Sequence, residues 1–403
     1  MLGVVSLYPV QIVLSLGVFA WSAHAGVAAD SPAPVGFAAV PAEGVTITTG
    51  GGSASPVIVR SALELRDAVE KRDIKDRAAR TETPRVVLVD GNIDLGPLAT
   101  DTRGMVIKQV GVIQVGSKVT VRGLGATATL HHGTLEVHGA HNVIIQNLRF
   151  RDLWEPDPTG KYDRLGWDYI RIVNSGQTHS HHVWIDHCDF EKAYDGMVDI
   201  THGSDLVTIS WCRFAGDTHG PQKKVSLIGH SSSASAAATD RGRLNVTLHH
   251  NWFVNIDDRA PRARFGNIHA FNNLIEGAQN ATISVTDAVT LVERCVYRDT
   301  RIATTYSHAA DTIAKGHGGT IAIVDSLNQE PRAAQSPPES ANVQFEIDHN
   351  FKGSVERPHL RFNPPADWTW PDRSALPYAY TADPVGAVAE LVRHGAGVRA
   401  AGN

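Results

Sequence analysis

Three cysteines in 403 residues are too few to staple a fold, and the odd count leaves at least one thiol unpaired within the chain. A chain of this length can bury enough surface to need no disulfide even outside the cell. Basic runs are missing too. Thirty-seven Lys and Arg against 42 Asp and Glu give a net charge of −5, which argues against a nucleic-acid partner held by charge. After Trp21 no stretch is long and apolar enough to cross a bilayer, so no membrane partner is expected. The one apolar run, Leu2 to Trp21, ends in Ser22-Ala23-His24-Ala25, a small-x-small cleavage pattern. Residues 1–25 therefore read as a secretory signal peptide, with the mature chain starting near Gly26 and destined to be extracellular or periplasmic. No Lys or Arg precedes the run, its one departure from the usual form.

What is present is repetition. Residues 26–55 are rich in Ala, Gly, Pro and Ser and predict a flexible lead-in. Ser61 and Glu64 form a capping box for a helix whose apolar face is Leu63, Leu65, Ala68 and Val69. From Arg85 onward the chain breaks into short β-type runs separated by turn residues. VIIQNLRF from Val143, VWIDHCDF from Val183, VTISWCRF from Val207 and VTLHHNWF from Val246 share one eight-residue pattern. Weaker frames start at Ile268, Thr290 and Phe345. Their sixth positions are Leu148, Cys188, Cys212, Asn251, Asn273, Cys295 and Asn350, and Phe150, Phe190, Phe214 and Phe253 recur at the eighth.

Self-similarity of this kind in β-rich runs predicts an all-β fold, a single-stranded parallel β-helix spanning residues 56–403. A β-sandwich would not keep Asn and Phe in one register. Asn columns would hydrogen-bond from turn to turn and Phe columns would stack. Cys188 and Cys212, one turn apart, come within disulfide reach, yet two parallel buried thiols are the expected state. Asp383 as N-cap, Pro384 as first helical residue, Val388, Leu391 and Val392 facing inward, and Gly395 beyond predict a C-terminal helix.

Chemistry concentrates between Asp168 and Arg264. Asp195 and Asp199 in a straight strand would stand about 13 Å apart, too far to share one cation with ligand distances of about 2.4 Å. The chain must bend, and Gly196 permits it. With Asp168 alongside, three carboxylates and no nearby thiol favour Ca2+ over zinc. Lys224, Arg259 and Arg264 follow on later turns, which suits a polymer with a carboxylate on every residue. Arg262 reads as a surface ion pair. His179-Ser180-His181-His182 reads as a solvated loop rather than a metal site, and Asp186-His187 as a structural pair under the groove. Asp257-Asp258 and Gly316-His317-Gly318 only superficially fit a polygalacturonase-type hydrolase.

The motifs WIDH (Trp184–His187), DGMVDI (Asp195–Ile200), KVSLIGH (Lys224–His230) and RAPRARFG (Arg259–Gly266), with IQVGSKVTVRGLG upstream (Ile113–Gly125), resemble the pectate lyases of polysaccharide lyase family 1. The resemblance runs over roughly Gly36 to Val392 and implies a right-handed parallel β-helix with flanking helices. It also implies a secreted enzyme that cleaves α-1,4-linked polygalacturonate (pectate) by β-elimination, giving 4,5-unsaturated oligogalacturonides. On this likeness Asp168, Asp195 and Asp199 bind calcium. Arg259 takes the C5 proton, while Lys224 and Arg264 bind substrate carboxylates. Arginine ordinarily titrates above 12, so a base of this kind implies an alkaline optimum. A monomer is expected. The segment Asp217–Lys223 is longer than the family's usual approach to the lysine. Two alternatives are a pectin lyase, which acts on methyl esters without this calcium site, and a non-catalytic polysaccharide-binding β-helix.

Overall fold

A computed structural model describes residues 33–70, 83–98, 111–153, 167–193, 195–216, 223–307, 318–330, 345–348, 352–355 and 376–400. The segment 1–25, read as a signal peptide, the longer approach at 217–222 and Asn350 lie outside them.

The frames become turns of a parallel β-helix. Val143 pairs with Val183, Val183 with Val207, Val207 with Val246, Val246 with Ile268 and Ile268 with Thr290, all parallel and in register. One long sheet carries these strands. A second sheet of nine short strands, Gly111–Val115, Gly133–His138, Ile170–Val173, Val198–Ile200, Leu227–Ile228, Arg262–Ala263, Asn280–Ser284, Ile302–Ser307 and Phe345–Asp348, runs alongside it. The frame expected at Phe345 is a correction: this strand pairs antiparallel with Ile302–Ser307, and Ile321 in strand Thr320–Gln329 takes the next position after Thr290 instead. An apolar match without the turn that precedes it gave the wrong register.

Inside the coil the predicted columns form. Cys212 N–H donates to Asn251 Oδ1 at 2.9 Å, Asn251 N–H and Nδ2 each donate to Asn273 Oδ1 at 3.0 Å, and Cys295 N–H donates to Ser326 Oγ at 3.0 Å. Asn251, Asn273 and Ser326 thus satisfy the backbone of the turn before them, the accounting a buried turn requires. Phe150, Phe190, Phe214 and Phe253 stack at 4.8, 4.9 and 5.1 Å with rings within 14° of parallel. All three cysteines are buried free thiols.

The fifth position of each frame turns the corner. Asn147, His187, Trp211, His250 and Asn272 all have φ between 49° and 56°, a left-handed conformation that costs a non-glycine residue about 1–2 kcal/mol. Their N–H groups donate to Asp186, Ser210, His249, Phe271 and Glu293 carbonyls on the next turn at 3.0–3.3 Å, and His187, Trp211 and His250 stack outside the corner. The repetition offsets the strain.

The flanking helices are Ala62–Glu70 and Val385–Gly395. Ser61 and Glu64 exchange the expected capping-box bonds, but Leu63 is exposed while Leu65 and Val69 are buried. At the C-terminal helix Val388 and Val392 face inward and Leu391 is exposed, correcting the predicted face. Asp383 does not cap this helix; its carboxylate pairs with His250 Nε2 at 2.8 Å. Gly395 is the last residue of the helix rather than lying beyond it, and a Cβ there would sit 2.4 Å from the Trp211 ring.

The lead-in also needs correcting from Ala33 onward. Phe37 N–H donates to Thr247 Oγ1 and Ala38 N–H to Thr208 Oγ1, and Ala38 packs with Ile144 and Trp184. Small residues here allow close approach to the long sheet rather than looseness. The same segment covers the histidines, correcting the expected solvated loop: His181 and His182 open the strand His181–Asp186, Ser180 and His182 are fully buried, and His182 Nε2 donates to the Val40 carbonyl at 2.8 Å.

Candidate functional site

The residues read as functional gather on the short sheet. Asp168 sits ahead of strand Ile170–Val173, Asp195 ahead of Val198–Ile200 and Asp199 within it, Lys224 ahead of Leu227–Ile228, and Arg259 and Arg264 on either side of Arg262–Ala263. These four strands are neighbours in the order given. Alternation inside each strand buries Val198 and Ile200 and turns Asp199 outward.

The chain does bend after Asp195, and Gly196 matters for a reason other than its backbone freedom. A Cβ at Gly196 would lie 2.6 Å from both Asp168 Oδ1 and Asp199 Oδ1. Only a residue without a side chain lets the two carboxylates converge there. Gly196 N–H donates to Asp168 Oδ1 at 2.7 Å and Leu227 N–H to Asp199 Oδ1 at 3.0 Å. Burial, then the Asp195 charge, pushes the Asp168 carboxyl up to about 6, against the pull of the Gly196 N–H and of Arg171 and Arg259. Burial and the charge of Asp168 push Asp199 well above the usual range. Two buried carboxylates, each raised by burial and then by a neighbouring aspartate, lack positive charge.

The cations stand on the next turns. Lys224 Nζ is 3.5 Å and Arg259 Nη1 3.7 Å from the same oxygen, Asp195 Oδ1, which is shielded from solvent. Lys224 bridges in parallel to Asp258, whose carboxylate accepts from Arg259 N–H at 2.9 Å. Arg259 itself adopts φ 71°, and non-glycine residues held this way cluster at functional sites.

The pectate lyase family model matches residues 8–325. The chain belongs to the pectate lyase family. Pectate lyase B of Paenibacillus amylolyticus is 35% identical over 272 residues, spanning 51% of this chain and 66% of that protein. A pectate trisaccharide-lyase of Thermotoga maritima is 37% identical over 242 residues, spanning 60% of this chain and 56% of that one. The chain therefore covers less than two thirds of either relative's length. The solved structure of a pectate lyase from Paenibacillus sp. 0602 matches with a TM-score of 0.68 at 25% identity, covering 91% of this chain and 96% of that one.

Within this family member the expected residues do not all converge equally. Arg264 lies apart from the Asp195 cluster, its guanidinium donating to Gly229 O at 3.0 Å and Ser232 Oγ at 3.2 Å. Arg262 Nη1 is 4.0 Å from Asp258 Oδ2, the surface ion pair expected of it. Asp186 is a structural residue: it holds His187 Nδ1 at 2.6 Å, Gln146 Nε2 at 2.8 Å and Ser210 Oγ at 2.6 Å. It belongs to the long sheet, not beneath the site. Asp258, half of the hydrolase-like pair, is taken up by Arg259 and Arg262 instead.

The sequence reading missed Arg171, the register partner of Asp199. Its signal was available, since Arg171 stands between buried Ile170 and Ile172 and must point the same way as Asp199.

The residues fit a calcium ion by their chemistry. They supply carboxylate oxygens only, two of them drawn against one glycine and electrostatically under-compensated. As built they do not close into a ligand shell: among the described residues no group of three His, Cys, Asp or Glu is placed to hold a metal.

Proposed function

We propose that this protein is a secreted, calcium-dependent pectate lyase that cleaves polygalacturonate by β-elimination, leaving 4,5-unsaturated oligogalacturonides. The observation that carries the reading is the convergence of Lys224 and Arg259 on Asp195 beside the Asp168–Asp199 pair. Cations follow carboxylates within one or two strand spacings of about 4.8 Å, on a scale that matches a chain of uronic acids.

Asp168, Asp195 and Asp199 would hold calcium, which when bound supplies positive charge to neutralise a substrate carboxylate. Lys224 and Arg264 hold further carboxylates by charge-assisted hydrogen bonds. The C5 proton lies α to a carboxylate, so the carbanion left by its removal is enolate-like and is stabilised by fixed cations. Arg259 takes that proton. The electrons of the C5–H bond become the C4–C5 double bond, and the C4–O4 bond breaks with its pair on O4, which is protonated by water. Asp258 accepts the Arg259 backbone N–H and helps fix where the guanidinium stands. Residues 1–25 serve as the signal peptide, and the mature protein acts as a monomer.

The test is the ultraviolet absorbance of unsaturated uronide during digestion of polygalacturonate, with calcium and with excess chelator. Absorbance that rises only with calcium is expected. Full activity in chelator contradicts calcium dependence, and reducing ends without the chromophore indicate hydrolysis. Mass spectrometry of the exported protein should give a start near Gly26.

A further inference from the structure

On the N-terminal side of the aspartates the outward column of the short sheet continues. Gln114 is in register with Glu136, Glu136 with Arg171, and Arg171 with Asp199. Neighbouring strands lie about 4.8 Å apart, so Arg171 stands one strand spacing from Asp199 on the same face. Its guanidinium pairs with Glu136 through Nη2. Glu136 is itself anchored, accepting from Gln114 Nε2 at 2.9 Å and lying 3.2 Å from His138 Nδ1. Burial alone would raise the Glu136 carboxyl, but His138, Arg171 and Gln114 outweigh it and bring it down to about 2. The brace is anionic at any working pH. It spares Arg171 much of the rotamer freedom a long side chain has on open surface.

Charge around the site is lopsided without Arg171. Lys224 and Arg259 both face Asp195. Arg171 is the register partner of Asp199 on one side, and Arg259 precedes the strand two places farther on at the other. The two arginines thus bracket the converging pair from opposite turns.

We propose that Arg171, braced by Glu136, is a positioning residue that holds Asp168 and Asp199 together opposite Arg259 before a cation binds, and so competes with that cation. This rests on the calcium reading of the same three aspartates. An ordinary surface ion pair between Arg171 and Glu136 would leave calcium affinity where it was.

Two variants of the full chain, Arg171→Met and Arg171→Lys, separate these cases when titrated calorimetrically with calcium chloride and melted in chelator. Losing a unit charge next to a divalent site tightens calcium binding roughly tenfold at low ionic strength, and the gain shrinks as salt is added. The same variant melts a few degrees lower than the parent in chelator, because the carboxylate pair has lost its counter-charge. Arg171→Lys keeps both values near the parent's. If the parent binds calcium and Arg171→Met binds it no more tightly, the role of Arg171 is overturned while the calcium reading stands. If the parent takes up no calcium, the reading of the aspartates fails and takes this inference with it.

Discussion

The long sheet repeats itself and the short sheet does not. Along the long sheet the same residue type recurs at the same place, as in the Phe150–Phe253 stack and the Asn251–Asn273 ladder. Its outer face is covered by chain from both ends: Phe37 and Ala38 on Thr247 and Thr208, and Tyr378 on Thr247 and His269. Along the short sheet the outward column reads Gln114, Glu136, Arg171, Asp199, Leu227 and Arg262, a different chemistry on every turn. A solenoid gains stability from identical neighbours. Only a face used for something else breaks that rule, and here it breaks by placing acid and base side by side.

Substitutions on the two sheets should therefore fail in different ways. The largest effect is expected at Arg259. Arg259→Lys keeps the charge near Asp195 but reshapes and shortens the group, and a displaced general base costs about 10²–10⁴ in turnover. Calcium affinity and melting temperature should stay near the parent's; turnover near the parent rate would mean that another residue is the base. Arg264→Lys should instead raise KM with a smaller loss in kcat, since Arg264 stands apart from Asp195.

On the long sheet Asn273→Ala should do the reverse. It removes the acceptor for two Asn251 donors and the donor to Leu248 O, leaving buried backbone polar groups unmatched at about 1–3 kcal/mol each. A lower urea midpoint with kcat unchanged for the folded fraction is expected. Equal loss of stability and kcat would erase the distinction between the sheets.

How much of this was legible follows the same division. The β-helix, the Asn and Phe columns and the free thiols could be read from aligned frames, because side chains buried inside a coil must match the turn above. The pairing of Asp168 with Asp199 beside Asp195 was legible only through the need for a bend and through family likeness. The actual role of Gly196, making room for two oxygens, depends on a contact between turns that no local pattern encodes. The covering segments were misread for the opposite reason. Ala- and Gly-rich chain near Phe37 looks loose by composition, yet small residues are what a tight fit against Thr208 and Thr247 demands. Arg171 was given no role because its meaning comes from the register with Asp199.

The covering segment offers the smallest effect and the finest test. His182 Nε2 donates to the Val40 carbonyl, so in the neutral ring its Nδ1 accepts from His181 Nδ1, 2.7 Å away. Burial favours the neutral form of both rings. Burial depresses His181 to about 4 despite the nearby Glu43, and burial also lowers His182. A folded value below the unfolded 6.5 means that the unfolded chain binds more protons between the two. The stabilisation is complete above pH 6.5 and is lost as pH falls toward 4. Glu43 runs in the same direction at lower pH, since its lowered carboxyl contributes stability above 4.5 that disappears only below that value. Between pH 6.5 and 4.5 the histidines therefore cost on the order of 2 kcal/mol, or a few degrees in Tm. Asp168 and Asp199, raised in the folded state, work the other way, so the share of His182 is read as the difference between the parent and variant slopes. His249 and His250, lowered under the C-terminal segment, supply part of the same slope. His182→Asn should melt lower than the parent at pH 7.5 yet lose fewer degrees on acidification to pH 4.5. A variant that keeps the parent's full pH slope in calorimetry would show that the histidines under residues 33–48 do not hold that segment by their neutrality.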